Sequence, residues 1–157
     1  MSSHVAANDH PDVSVRPPFL FALGFSAGVL LQAFFFFPEF PLIFRTLGGV
    51  LIVVAVVLLG SAFLLFRRAG TSENPLEPTT TLVTSGPYRF SRNPFYLAYV
   101  LGYIGGSILF AVPLALILLP LVVIALHFLV IVREEAYLGR KFGRKYREYC
   151  SRVPRWI

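Results

Sequence analysis

The chain has 157 residues, 56% of them hydrophobic and only 14% charged, with a mean hydropathy of +0.71. This balance excludes an ordinary water-soluble domain, and so apolar and short a chain leaves no room for a sizeable soluble module. The net charge of +6 is no argument for nucleic acid, because membrane orientation and anionic headgroups already require a basic skirt beside apolar helices.

Residues 1–18 are polar and carry Pro11, Pro17 and Pro18, with neither the basic start nor the small-residue cleavage site of a secretory leader. They read as a disordered cytosolic tail before a retained first span. Apolar stretches at 19–37, 47–66, 95–110 and 114–132 approach the length that crosses about 30 Å of hydrocarbon at about 1.5 Å per residue. Residues 19–157 therefore read as one all-α, multi-pass membrane domain of about four transmembrane helices. With four spans, both termini and the loop over 67–93 share one side, which then holds every basic residue except Arg45; the positive-inside rule makes that side cytosolic. Spans one and two contain no acidic residue, which argues against an ion-coupled transporter.

The loop 67–93, "RRAGTSENPLEPTTTLVTSGPYRFSRN", is far longer than the connections usual between packed helices and has the turn-forming composition of a binding loop or lid. Asn93 and Pro94 suit the cap and first turn of the third helix. Tyr96, Tyr99 and Tyr103 fall on one face of that helix, while Gly102 and Gly106 form a small-residue pair at which a neighbour can approach. Pro113 and Pro120 predict the start of the fourth span and a kink within it. Beyond Val132 a helix over 133–150 is expected, with Leu138, Phe142, Tyr146 and Tyr149 as an apolar stripe among basic residues, lying at the headgroups.

Polar groups gather where spans three and four reach the cytosolic side. Arg92 and Asn93 precede span three, and Glu134 and Glu135 follow span four, which the tight connector makes its antiparallel neighbour. On an ideal helix His127, Ile131, Glu134 and Leu138 share a face, and Glu135 points about 100° away. Each piece has an ordinary explanation: an arginine anchors at the interface, tyrosines pack there, and Arg133 or Arg92 neutralises the glutamates. Together they suit a zwitterion. A sulfonium and an ammonium seek Glu and Tyr, and a carboxylate seeks Arg and free N–H groups, which matches S-adenosylmethionine entering from the cytosol. Cys150 is alone, and His4, His10 and His127 are scattered, so neither a disulfide framework nor a metal site is expected. No glycine-rich dinucleotide fingerprint follows a strand.

The strings "GPYRFSRNPFY" and "VREEAYLGRKFGRKYREYCSRVPRWI", with "AGTSENPLEPTTTLVTSG" before them, resemble the integral-membrane methyltransferases of the isoprenylcysteine carboxyl methyltransferase and phospholipid methyltransferase superfamily over residues 69–157. The resemblance implies that Arg92, Asn93, Pro94 and Tyr96 bind the cofactor and that Glu134 and Glu135 close its site. These two glutamates and Arg92 are the candidate catalytic residues. Leu138, Phe142 and Gly143 would wall the adenine side, with Tyr88, Tyr99 and His127 as further cofactor contacts. Asn93 stands where the eukaryotic prenylcysteine enzymes have His, and Ala98 where many members have Gly. The implied activity is methyl transfer from S-adenosylmethionine to a lipophilic or lipid-anchored acceptor reached from the bilayer, with membrane lipids as partners and neither nucleic acid nor metal. The alternatives are a phospholipid N-methyltransferase, an NADPH-dependent membrane reductase and, outside enzymes, a small transporter or lipid-binding scaffold.

Overall fold

A computed structural model describes residues 11–13, 15–35, 37, 40–71 and 77–157. Within them the chain is helical, with no strand: α1 (Pro17–Gln32), α2 (Leu42–Arg68), a short 3-10 turn (Gly86–Arg89), α3 (Pro94–Leu109), α4 (Pro113–Leu126), a π-helical segment (His127–Ile131), α5 (Val132–Phe142) and α6 (Arg144–Cys150). Residues 1–10 and 72–76, which fall in the expected tail and long loop, lie outside the described residues. Residues 11–13 pack against the bundle: Val13 is buried in its core, and the Asp12 carbonyl accepts a 2.7 Å bond from Arg133 Nη1. Arg133 is thus occupied away from the two glutamates it was expected to neutralise.

Among the described residues two helices are long and apolar enough to cross a membrane, α2 with 27 residues and the continuous run Pro113–Phe142 with 30. At about 1.5 Å per residue the second reaches about 45 Å, more than a hydrocarbon core, so it carries its polar end past the apolar layer. α1 and α3 have 16 residues each, about 24 Å. In the most apolar window of α2 only 11% of residues are buried. Val50, Val53, Val56 and Val57 are all more than half exposed. A soluble protein buries such a helix in its core, whereas here the apolar surface faces outward, which is stable only against lipid. The chain is an integral membrane protein.

α2 packs mainly on α3, and α4 mainly on α1. α3 and α4 also touch, as their tight connector requires, but neither is the other's principal partner. Glycine sets the closest approach of α2 and α3, though not at the pair singled out from the sequence. A Cβ on Gly105 would lie 2.7 Å from the Gly48 carbonyl oxygen, whereas one on Gly102 or Gly106 would meet only ordinary side-chain contacts. Tyr103 and Tyr99 turn toward α1, ringed by Phe21 and Phe25, and Tyr103 donates to the Ala115 carbonyl. Only Tyr96 of the tyrosine face points to the polar end.

The expected single helix over 133–150 is two. Gly143 adopts φ +52°, a left-handed conformation that side chains disfavour, and the chain turns there into α6. Tyr146, Tyr149 and Val153 then pack against Leu82, Leu138 and Phe142. The stripe does close on itself, but it faces the protein, so the reading of one helix lying flat at the headgroups is corrected by this turn.

The Gly48–Gly105 contact makes a direct prediction. Gly105→Val should lower the unfolding temperature in detergent, corresponding to about 1–3 kcal/mol of overpacking. Gly49→Ala, whose Cβ meets nothing within 4 Å, should stay within about 0.5 kcal/mol of the parent.

Candidate active site

At the polar end of the bundle a cleft is enclosed by the 3-10 turn, the start of α3, α5, α6 and the loop over 79–83. Its floor follows from local chemistry. Pro94 occupies the first turn of α3, but Asn93 makes no side-chain cap; its Nδ2 donates instead to the Arg155 carbonyl at 3.0 Å. The cap expected from the sequence is therefore replaced by a tertiary bond. Beside it the Arg92 N–H donates to the Pro154 carbonyl at 3.0 Å, and Ser91 Oγ donates to the Arg155 carbonyl at 3.3 Å. The returning segment 153–156 thus pins the residues that lead into α3.

The two glutamates have different neighbours. Glu134 Oε2 accepts a 2.7 Å bond from the Tyr96 hydroxyl. Glu135 lies between two guanidiniums: Arg92 Nη1 is 3.1 Å from its Oε1, Arg155 Nε donates to Oε1 at 3.0 Å, and Arg155 Nη2 donates to Oε2 at 2.6 Å. The Arg92 and Glu135 side chains are only 16% and 17% exposed, so this network is largely withdrawn from water and less screened than a surface pair. Donation to Glu135 holds the Arg155 guanidinium even more firmly protonated than usual. Arg92 Nη1 also donates to Cys150 Sγ at 2.9 Å. Its Nε is buried without a partner among the described residues, a donor that a bound anion could engage after a small adjustment.

Aromatic rings form the rest of the wall. Phe66 packs on Tyr88 and on Phe95 with centroids 5.5 Å apart in each case. The Tyr149 hydroxyl donates to the Tyr88 carbonyl at 2.7 Å. Burial pushes the Tyr149 phenol up to about 12 and raises Tyr88 as well, so both hydroxyls keep their protons across the physiological range.

Of the residues singled out from the sequence, Tyr88, Arg92, Asn93, Tyr96, Glu134, Glu135 and Leu138 line this cleft. Pro94 is buried just beneath it. Phe142 packs against the Tyr146, Tyr149 and Val153 cluster, and Gly143 makes the turn that returns α6. Tyr99 lines a separate groove. His127 is not among the lining residues; it opens the π-helical segment, whose wider i→i+5 turn rotates it away from the face it shares with Glu134 on an ideal helix. Its ring meets Phe128 edge-on at 4.9 Å. Sequence reasoning missed Arg155, Tyr137, Phe66 and the wall role of Tyr146 and Tyr149. The available signal for Arg155 was a glutamate pair that needed more positive charge than Arg92 alone supplies.

The fold and site are thus those of a helical membrane protein with an ion-paired, aromatic-walled cleft at its polar end. The sequence model of the family described as "Phospholipid methyltransferase" matches residues 43–145, and the chain belongs to that family. It is 30% identical over 124 residues to protein-S-isoprenylcysteine O-methyltransferase B of Arabidopsis thaliana, covering 79% of this chain and 60% of that protein. It is 29% identical over 123 residues to a probable protein-S-isoprenylcysteine O-methyltransferase of Oryza sativa subsp. indica, covering 78% and 62%. A Schizosaccharomyces pombe protein-S-isoprenylcysteine O-methyltransferase is 34% identical over 76 residues, or 48% and 32%. The chain spans less than two thirds of the length of these relatives.

The unlike surroundings of the glutamates make them separable. Glu135→Gln leaves two guanidiniums against a neutral amide and should cost about 1–2 kcal/mol. Glu134→Gln keeps an acceptor for Tyr96 and should cost less than about 0.5 kcal/mol. Thermal unfolding of the two variants in one detergent reads the difference, and equal losses would contradict the assignment of their partners.

Proposed function

We propose that this protein is a membrane methyltransferase that uses S-adenosylmethionine to methylate a lipophilic acceptor. The observation that carries the reading is the pairing, in one aromatic-walled cleft, of a cation with an unmet donor and a separately held carboxylate. Family membership supports the reaction type, and the names of the relatives support an O-methylated, isoprenylated acceptor. The residues fit the donor's charges: Arg92 binds a carboxylate, Glu134 receives an ammonium or sulfonium, and the rings of Tyr88, Phe66 and Phe95 cover an apolar or heteroaromatic body.

S-adenosylmethionine, when bound, would supply an activated methyl group for transfer to the acceptor, with the neutral thioether as leaving group. The chain's own part is alignment and exclusion of water. Tyr96 fixes the rotamer of Glu134. Glu135 and the backbone bonds from segment 153–156 fix Arg92. A carboxylate acceptor needs no base, which suits Asn93, a side chain that does not titrate near neutrality. An amine acceptor must lose a proton, and Glu134 is the cleft carboxylate free of a guanidinium partner to take it.

The acceptor's apolar part has a place of its own. A groove of about 540 Å³ between α1, α2 and α3 is lined by Phe21, Phe25, Ile52, Leu59 and Tyr99, among others, a volume within the range of about 300–1,000 Å³ usual for ligand sites. It opens on the lipid-facing side of the bundle, supporting lateral entry of a hydrophobic chain. In this reading α1 to α4 all cross the bilayer, the short α1 and α3 by local thinning. The charge asymmetry supports a cytosolic position for both ends and the cleft.

Calorimetry of the detergent-purified protein tests the reading. S-adenosylhomocysteine should bind in the micromolar range, NADPH should not, and Arg92→Ala should abolish the first while leaving the protein monodisperse. Binding of NADPH alone would make it a reductase, and normal affinity in Arg92→Ala would return that arginine to an anchoring role.

The cleft encloses only about 120 Å³, below the range of ligand sites, so part of its wall must shift when a nucleoside enters. The loop over 77–91 forms one side of the wall, and Phe90 on it is 72% exposed. Chymotryptic cleavage at Phe90 should slow when S-adenosylhomocysteine is added. An unchanged cleavage rate would make the loop a linker.

A further inference from the structure

Arg155 does not line the cleft, yet it touches the machinery from two ends. Its guanidinium grips Glu135 with two bonds, while its carbonyl receives Ser91 and Asn93 on either side of Arg92. Its segment is anchored independently of its side chain: Trp156 packs on the main core, and Val153 packs with Tyr146 and Tyr149. Removing the guanidinium therefore need not release the segment.

The decisive feature is how Glu135 divides its oxygens. Arg155 takes both, and Arg92 reaches only Oε1, through one nitrogen. A carboxylate facing a single arginine is commonly held by two parallel bonds. Without Arg155, Glu135 could turn both oxygens to Arg92, neutralise it and draw its fork away from any other anion. With Arg155 in place the trio keeps one net positive charge, and Arg92 retains donors for a ligand. We propose that Arg155 is a positioning residue that holds Glu135 back from Arg92 and so keeps Arg92 competent to bind the carboxylate end of the methyl donor. The inference rests on the methyltransferase reading above and adds to it a residue that acts only through another.

Two ligands separate this role from simple support of the fold. S-adenosylhomocysteine carries the amino-acid end, whereas methylthioadenosine shares its nucleoside and thioether but lacks that end. In calorimetry on the full chain, Arg155→Ala should weaken S-adenosylhomocysteine about tenfold, the order of a lost charge-assisted bond, and leave methylthioadenosine within about twofold. Arg155→Lys, which keeps the charge and can hold one oxygen, should recover part of the loss and provides the answer should the alanine variant not fold. Unchanged S-adenosylhomocysteine affinity in the variants overturns the inference alone, as does an equal loss for both ligands. A parent chain that binds neither ligand overturns the methyltransferase reading and this inference with it.

Discussion

One carboxylate held by two guanidiniums joins three parts of the chain that are distant in sequence. Glu135 is on α5, Arg92 precedes α3, and Arg155 follows α6, with the shortest contact at 2.6 Å. Unit charges about 4 Å apart attract by roughly 4 kcal/mol at an effective dielectric near 20, and desolvation of the partly buried groups offsets much of that. The net stabilisation is modest, but the directional constraint is strong. Loss of the carboxylate would leave two half-buried guanidiniums facing each other without their counterpart, whereas loss of either arginine leaves the carboxylate to the other.

The rest of the bundle makes that arrangement possible. The continuous helix from Pro113 to Phe142 is longer than a hydrocarbon layer is thick and carries both glutamates toward its polar end. The small-residue contact of Gly48 with Gly105 brings α2 close to α3, and Phe66 near the end of α2 meets Phe95 edge-on and packs on Tyr88 at the cleft. Packing in the apolar layer and geometry at the polar mouth are thus parts of one construction. In lipid, such close approach replaces the hydrophobic driving force that would join helices in water.

The cleft and the groove between α1, α2 and α3 divide the chemistry by polarity. Charged groups stay at the mouth, and the groove is lined mostly by apolar surface. Tyr96 and Tyr99, three residues apart on α3, belong one to each. Under the function proposed above, a hydrophilic donor and a hydrophobic acceptor would approach from different phases and meet at the start of α3, where neither has to be carried through the other's solvent.

The sequence alone determined the features that depend on composition and short spacing. The apolar runs, the uneven distribution of charge, the turn leading to Arg92 and Asn93, and the glutamate pair after a long helix are all local, and so was the resemblance that gathered them into one site. Tertiary structure decided the features that depend on which segments return to each other. The left-handed turn at Gly143 folds α6 back under α5, and that return brings Arg155 to Glu135 and gives Asn93 a carbonyl partner in place of a cap. The π-helical segment from His127 to Ile131 changes the phase of the helix, so an ideal 3.6-residue period misplaces His127 relative to Glu134. Gly105 rather than Gly102 or Gly106 meets α2, because the crossing point is set by both helices and one sequence segment records only its own face. Periodicity fixes which residues are neighbours along an element, and the contacts that make the site lie between elements.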